Sequence, residues 1–283
     1  MKIAAIARAP ENSPGMVDKD RAILCATAEA LRQKGDTVSI IEEDEYTGET
    51  AYDAILHMTR NNKTLSLLAQ AESQGTLVTN SPSSVCNCSR SKCMQMMQRQ
   101  AIPLSPFATQ STDEIPPQDG YPMWIKRAEG WSCHHLDVCH VSSSIQAEEV
   151  LKAFKERGIN NVIRCRHMQG DIVKFYGVSE EMFHWHYPEP EKTKFGLERI
   201  NGTTAYHPFS TENLKEISFA AARALGVEIF GGDATVSPDG TINIIDLNDF
   251  PSFSACRAEA AEAIARLIHS KRYNKNNKDE RSR

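Results

Sequence analysis

Two acidic residues and one amide near the C-terminal end of the chain set the first chemical possibility. The segment GVEIFGGDATVSPDGTINIIDLNDFPSF, Gly226 to Phe253, reads as two β-strands joined by a tight SPDG turn, with Asp233 on the first and Asp246 and Asn248 on the second. Residues two apart on a strand project from the same face, so Asp246 and Asn248 share one. Three oxygen-bearing side chains converging there would make a hard-cation site. Mg²⁺, which prefers carboxylate, water and phosphate oxygen, is its natural occupant, with Mn²⁺ as a substitute. The same Asp-x-Asn could instead simply end a strand in a turn, because Asn248 and Asp249 are turn formers. Two further clusters, Cys86/Cys88/Cys93 and Cys133/His134/His135/Cys139/His140, lack paired C-x2-C knuckles. Strand alternation along HLDVCHV would send neighbouring side chains to opposite faces, so zinc is not favoured.

The elements that must position these residues can be read from periodicity. Lys2 to Ala7 is a short apolar strand, and Asp18 to Lys34 carries Ala22, Ile23, Ala26, Ala30 and Leu31 at helical spacing before Gly35. Strands at Thr37 to Ile41 and Asp53 to Met58 and a helix at Lys63 to Gln74 complete a small parallel sheet with helices on its faces. No Gly-rich dinucleotide fingerprint follows the first strand, so nothing supports an NAD site. Beyond Asn80, NSPSSVCNCSRSK is turn-rich and leads into a helix at Ser91 to Gln100. Strands are expected at Met123 to Arg127, His135 to Ser142, Asn161 to Arg166 and Asp171 to Val178, with a helix at Ala147 to Arg157. The last third reads as a helix at Thr211 to Leu225, strands at Asp233 to Val236 and Thr241 to Leu247, and a helix at Ala255 to His269. There is no internal repeat.

At 283 residues, 40 % hydrophobic and 24 % charged, the chain is globular and long enough for its core to divide into lobes. A net charge of −5 argues against a dedicated nucleic-acid binder. Ser270 to Arg283 holds six Lys/Arg against two Asp/Glu; removing that +4 leaves a body near −9. This segment is expected to be a disordered, solvated tail. No run of 18 apolar residues is present, and MKIAAIARAPENS is too poor in apolar residues for a signal peptide, so a cytoplasmic protein with reduced thiols and no membrane partner is expected.

Five segments in order then resemble the ATP-grasp superfamily over roughly Asn80 to Ala265: SRSKCMQMMQRQAIPLSPF, YPMWIKRAEG, VIRCRHMQG, DIVKFYGV and the acidic hairpin. The resemblance implies an α/β (α+β) ATP-grasp fold with an N-terminal parallel α/β lobe (1–80), a central subdomain (81–165) and a C-terminal subdomain (166–270). It further implies ATP and one or two Mg²⁺ as cofactors. The ATP contacts would be Lys92, Lys126, His135, the hinge residues Arg164, Cys165, Arg166 and His167, and Lys174. Asp233, Asp246 and Asn248 would be the metal ligands. The lysines would neutralise phosphate oxygens in a loose, in-line transition state. Departures from the pattern are a lid, EGWSCHH, with a single glycine; Asp246 where Glu is common; and an unusually basic hinge.

The resemblance leaves two reactions open. A carboxylate–amine ligase, similar to glutathione synthetases and glutamate-adding ligases, would pass through an acyl phosphate. A small-molecule kinase, resembling inositol trisphosphate kinases, would phosphorylate a hydroxyl directly. The ligase leads; Asp246, Lys174 and the His-containing lid lean toward the kinase. A catalytically silent nucleotide-binding protein is the third reading, and the complete Asp233/Asp246/Asn248 set argues against it. The acceptor, a small molecule or peptide, would meet Arg199 and Asn201 in the polar loop after the Lys174 strand, with Arg199 and Lys174 catalytic. Arg8 and Asn12, following the first strand, would add substrate contacts. A homodimer is compatible with the short N-terminal lobe.

Overall fold

A computed structural model describes residues 1–48, 51–189 and 200–281 of the chain. Its first sheet is parallel, in the order β2-β1-β3-β4, from β1 (Lys2–Ile6), β2 (Thr37–Ile41), β3 (Ala54–His57) and β4 (Leu77–Thr79). Both faces are covered, as strands without a polar side require. Ile3 and Ala5 pack against helix α1 (Val17–Gln33), while Ala4 and Ile6 pack toward α2 (Asn62–Ser73) with Leu68 and Ala71.

Two antiparallel sheets follow. One, in the order β5-β8-β6-β7, is built from β5 (Phe107–Ser111), β6 (Met123–Arg127), β7 (Val138–Val141) and β8 (Asn161–Arg166), with α5 (Ser144–Glu156) on one face. The other, in the order β10-β9-β11-β12, is built from β9 (Asp171–Val178), β10 (Met182–His186), β11 (Ile229–Val236) and β12 (Ile242–Asp249). Its apolar face (Val173, Phe175, Phe230, Ala234, Ile244) buries against α6 (Thr211–Leu225) and α4 (Arg90–Arg99), leaving the opposite face for polar side chains. Helix α6 ends on Gly226 at φ +74°, the left-handed cap that glycine reaches without a Cβ penalty.

Several expectations change. NSPSSVCNC is not only turns: Ser81 caps a short helix, α3 (Pro82–Asn87), accepting from the Ser84 N–H. The expected strand from His135 to Ser142 starts as a single 3-10 turn, His135–Asp137, because Asp137 accepts the backbone N–H groups of Cys133 and His134 and pairs with Arg157. His184 to His186, expected to open a polar loop, belong to the edge strand β10 (Met182–His186). The expected disordered tail is a correction as well. The last helix, α7 (Arg257–Arg281), runs on through it, since Lys271 pairs with Glu228 and Arg272 with Asp53, and Lys, Arg and Glu are good helix formers. Helix α7 returns to pack on α1, so the C-terminus completes the core of the N-terminal lobe.

Among the described residues no helix is long and apolar enough to cross a membrane.

Candidate active site

The exposed face of the second antiparallel sheet carries two cross-strand rows. Register pairs Lys174 with Asp233 and Asp233 with Asp246; one step along, it pairs Tyr176 with Gly231 and Gly231 with Asn248. Alternation therefore brings all three expected metal ligands to one face, next to Lys174. Opposite Asp233 and Ala234 the pairing skips Ile245, a bulge in β12 that re-aims that strand just before Asp246. Lys174 Nζ donates to Asp233 Oδ1 at 2.7 Å, and the Asn248 amide N–H₂ donates to Asp246 Oδ2 at 3.0 Å. Among the described residues the Asn248 Oδ1 accepts no hydrogen bond and is left as a ligand oxygen.

No group of three or more His, Cys, Asp or Glu side chains forms a metal cluster among the described residues. An ion on this hairpin would rest on two carboxylates, one amide oxygen and oxygens from outside the protein. That donor set suits Mg²⁺, which takes one or two carboxylates and completes its octahedron with water and phosphate.

Facing this sheet across a cavity of about 340 Å³ is the inner face of the β5-β8-β6-β7 sheet. Trp124 and Lys126, two apart on β6, both line it. Lys126 is only 8 % exposed, and among the described residues its ammonium donates to one partner, the Ile245 carbonyl at 3.4 Å. A buried ammonium with one neutral acceptor is poorly compensated, and an anionic ligand would offset that cost. Arg90, at the start of α4, lies 3.8 Å from Asp246 Oδ1 and donates to Ser132 Oγ at 2.7 Å. Burial alone would raise the Asp246 carboxyl, but Arg90, Lys126, the Asn248 amide and Lys174 together hold it below the usual carboxylate range. Burial pushes the neighbouring Tyr176 hydroxyl up to about 12.

The remaining expected residues divide. Cys165 and Arg166 line the cavity, joined by Met168 at the end of the hinge. Arg164 falls on the opposite face of β8 from Ile163 and Cys165, by alternation, and is not in the lining. His167 is also off the wall: its Nδ1 accepts the Trp124 indole N–H at 3.1 Å, and its ring meets that of His140 at 5.1 Å. Lys92 and His135 are exposed and outside the lining. Arg199 lies outside the described residues. Asn201 lines the cavity while donating to the carbonyls of Met168 and Gly170 at 3.1 and 3.0 Å, so it braces the hinge turn. Asn12 lines the cavity and accepts from the Cys133 thiol at 3.9 Å. Arg8 reaches the cavity wall with its donors engaged by Asp20, Asp249, Met58 O and Phe250 O.

Among the cavity residues that the sequence reading did not single out are Arg60, Arg90 and Tyr176, whereas Trp131 entered it only as part of the lid segment EGWSCHH. Tyr176 could have been found, because it stands two residues from Lys174 on the same strand face. Arg60 carries no local signal, since its partner Asp249 is 189 positions away.

No protein-family model matches the chain, and no curated protein does. Solved structures match over nearly its whole length. D-alanine–D-alanine ligase from Bacillus anthracis, complexed with ATP, superposes with a TM-score of 0.70 at 13 % identity over 97 % of this chain and 99 % of that one. The RimK domain ATP-grasp protein from Sphaerobacter thermophilus gives 0.67 at 14 % identity over 95 % and 99 %. D-cycloserine synthetase DcsG gives 0.68 at 13 % identity over 95 % and 100 %. Identities this low speak to architecture. With its parallel lobe and two antiparallel sheets closing on a cleft of lysines and carboxylates, the chain has the ATP-grasp fold.

Proposed function

We propose that the protein is an Mg²⁺- and ATP-dependent carboxylate–amine ligase. The observation that carries this reading is the row Lys174–Asp233–Asp246 with Asn248, facing buried Lys126 and Arg90 across one cavity. Three cations grouped around a pair of carboxylates, Lys174 beside them and Lys126 and Arg90 facing them, suit a triphosphate whose own charge is shared between protein and metal. Bound on Asp233, Asp246 and Asn248, Mg²⁺ would supply Lewis-acid stabilisation of phosphate charge.

In this reading Lys126 and Arg90 together hold triphosphate oxygens. Lys174 exchanges its Asp233 partner for charge developing on the transferring phosphoryl group. The acceptor carboxylate attacks the γ-phosphorus, ADP leaves, and an amine then displaces phosphate from the acyl phosphate to give the amide. Cys165, Arg166 and Met168, at and just beyond the end of β8, line the part of the cavity that would take the base. The ATP-complexed D-alanine–D-alanine ligase and D-cycloserine synthetase share the architecture, which favours amide formation over phosphorylation of a hydroxyl. The kinase reading also loses a support, since His135 is exposed and outside the cavity lining.

The test is thermal stabilisation by Mg²⁺ with ATP, followed by hydroxylamine trapping during turnover on pooled amino acids. Nucleotide should raise the melting temperature of the wild type and fail to do so for Asp246→Ala/Asn248→Ala, and a hydroxamate should form. Equal stabilisation of both proteins would reject the site; a phosphorylated polyol without hydroxamate would reject the ligase.

A further inference from the structure

At the N-terminal end of the cavity a second, smaller constellation stands apart from the triphosphate cations. Arg60, in the loop after β3, is 8 % exposed and donates through Nε and Nη2 to Asp249 Oδ1 at 3.2 and 2.8 Å. Among the described residues its Nη1 donates to no protein acceptor, although the residue lines the cavity. In Arg8, beside it, each of the three guanidinium nitrogens has an acceptor, among Asp20, Asp249 and two carbonyls. The Trp131 indole lies against the Arg60 guanidinium, 5.2 Å from its carbon to the ring centroid. Its Nε1 is buried without a hydrogen-bond acceptor, and Trp131 too lines the cavity. An indole N–H can only donate, so leaving it buried and unmet is costly unless something else accepts there.

The loop that carries Trp131 is fixed from two sides. Ser132 accepts from Arg90, and the Cys133 thiol points to Asn12 of the N-terminal lobe. The indole is therefore held over Arg60. Asp249 in turn fixes the guanidinium plane, which leaves one charged and one neutral donor side by side and preorganised.

We propose that Arg60 and Trp131 form the subsite for a carboxylate of the acceptor substrate, which makes that substrate a small carboxylic or amino acid. This rests on the ligase reading above. A guanidinium edge matches a carboxylate in charge and geometry, and the indole N–H takes the carboxylate's second oxygen. The γ-phosphate presents similar oxygens, so the test must separate the two sources.

Trp131→Phe is the informative variant, because it keeps an aromatic ring over Arg60 while removing the N–H donor. Arg60 also holds Asp249, so substitutions there risk the fold. The chain has three tryptophans. Protein labelled with 5-fluorotryptophan gives three ¹⁹F resonances, and the one absent from Trp131→Phe identifies the loop. The probes are Mg²⁺ with the β,γ-imido analogue of ATP, then the same plus a pool of amino acids in both enantiomers and small dicarboxylates. The expected result is a further shift of the Trp131 resonance when the pool is added to protein saturated with nucleotide. In Trp131→Phe the pool concentration giving half-maximal ADP release should rise about tenfold while the ATP KM moves less than about twofold.

A Trp131 resonance that responds to nucleotide but not to the pool would assign the donor to phosphate and overturn the subsite. So would an equal rise in both half-saturation values, or no rise in either. Failure of the nucleotide analogue to stabilise the wild type would remove the ligase reading itself, and the subsite with it.

Discussion

Arg90 and Lys92 stand two positions apart in SRSK, and the sequence resemblance selects the lysine. On a helix two residues are separated by about 200° around the axis, so the pair cannot share a face. The structure puts Arg90 against Asp246 and Ser132 and leaves Lys92 in solvent. The consequence is a clean comparison of two cations. Arg90→Ala removes a charged donor from the cavity wall and, on the proposed function, should weaken Mg²⁺-nucleotide binding about tenfold or more, as expected for a charge-assisted hydrogen bond. Lys92→Ala should change affinity by less than about twofold, the ordinary scale for an exposed substitution. Isothermal titration of both variants decides it, and a larger loss in Lys92→Ala would put the sequence reading back in front.

The β11–β12 hairpin shows how an element sets a site's tolerance. A Cβ added to Gly232 would lie 2.2 Å from the Asp246 carbonyl oxygen and 2.5 Å from Phe175 Cζ, so the two strands approach each other because no side chain intervenes. Gly232→Ala should therefore destabilise the fold by about 1–3 kcal/mol, the usual cost of overpacking, and also weaken the Mg²⁺-dependent nucleotide stabilisation by parting Asp233 from Asp246. Urea unfolding with and without Mg²⁺-ATP checks both effects; an unchanged midpoint would mean that the strands adjust freely. This hairpin was legible in the sequence because a Pro-Asp-Gly turn between two alternating runs has few other readings. Strands β8 and β9 were legible from their own alternating apolar runs, NVIRCR and DIVKFYGV, bounded by the HMQG turn, and their ends fall where expected. Strand β10 was passed over although Phe183 and Trp185 alternate with His184 and His186, because the run is short and opens into a long polar segment; pairing with β9, His184 opposite Tyr176 and His186 opposite Lys174, makes it a strand. Local pattern thus places Lys126, Lys174 and the acidic residues, whereas Arg60 and Trp131 acquire their positions from partners distant in sequence.

The N-terminal lobe is joined to the antiparallel sheets by buried polar contacts as well as by α7. Asn80 accepts from the backbone N–H groups of Glu228 and Ile229, both at 2.9 Å, and donates to the Ile229 carbonyl at 2.8 Å. His57 Nε2 donates to the Asn80 carbonyl at 2.7 Å, which fixes the end of β3 to the same clasp. His57 is 1 % exposed, and burial, reinforced by Arg8 and opposed by the Asn80 carbonyl and Asp249, lowers its pKa to about 4. In the unfolded chain the same imidazole titrates at its ordinary value of 6.5. Between those two values the unfolded state binds a proton that the folded state refuses, so stability must fall as pH falls through this window. The contribution is complete above pH 6.5 and should shrink by about 2 kcal/mol by pH 5, on the scale of 1.36 kcal/mol per unit. Asp249 does not act in this range: burial would raise its carboxyl, but Arg60 and Arg8 hold it below the usual value, so its stabilisation is lost only in stronger acid. His57→Gln keeps a donor for the Asn80 carbonyl and cannot titrate. Urea unfolding at pH 7.5 and pH 5 should therefore show a smaller acid loss in His57→Gln than in the wild type, the difference approaching about 2 kcal/mol. Identical pH dependence in the two proteins would mean that His57 is not held neutral at the junction of the lobes.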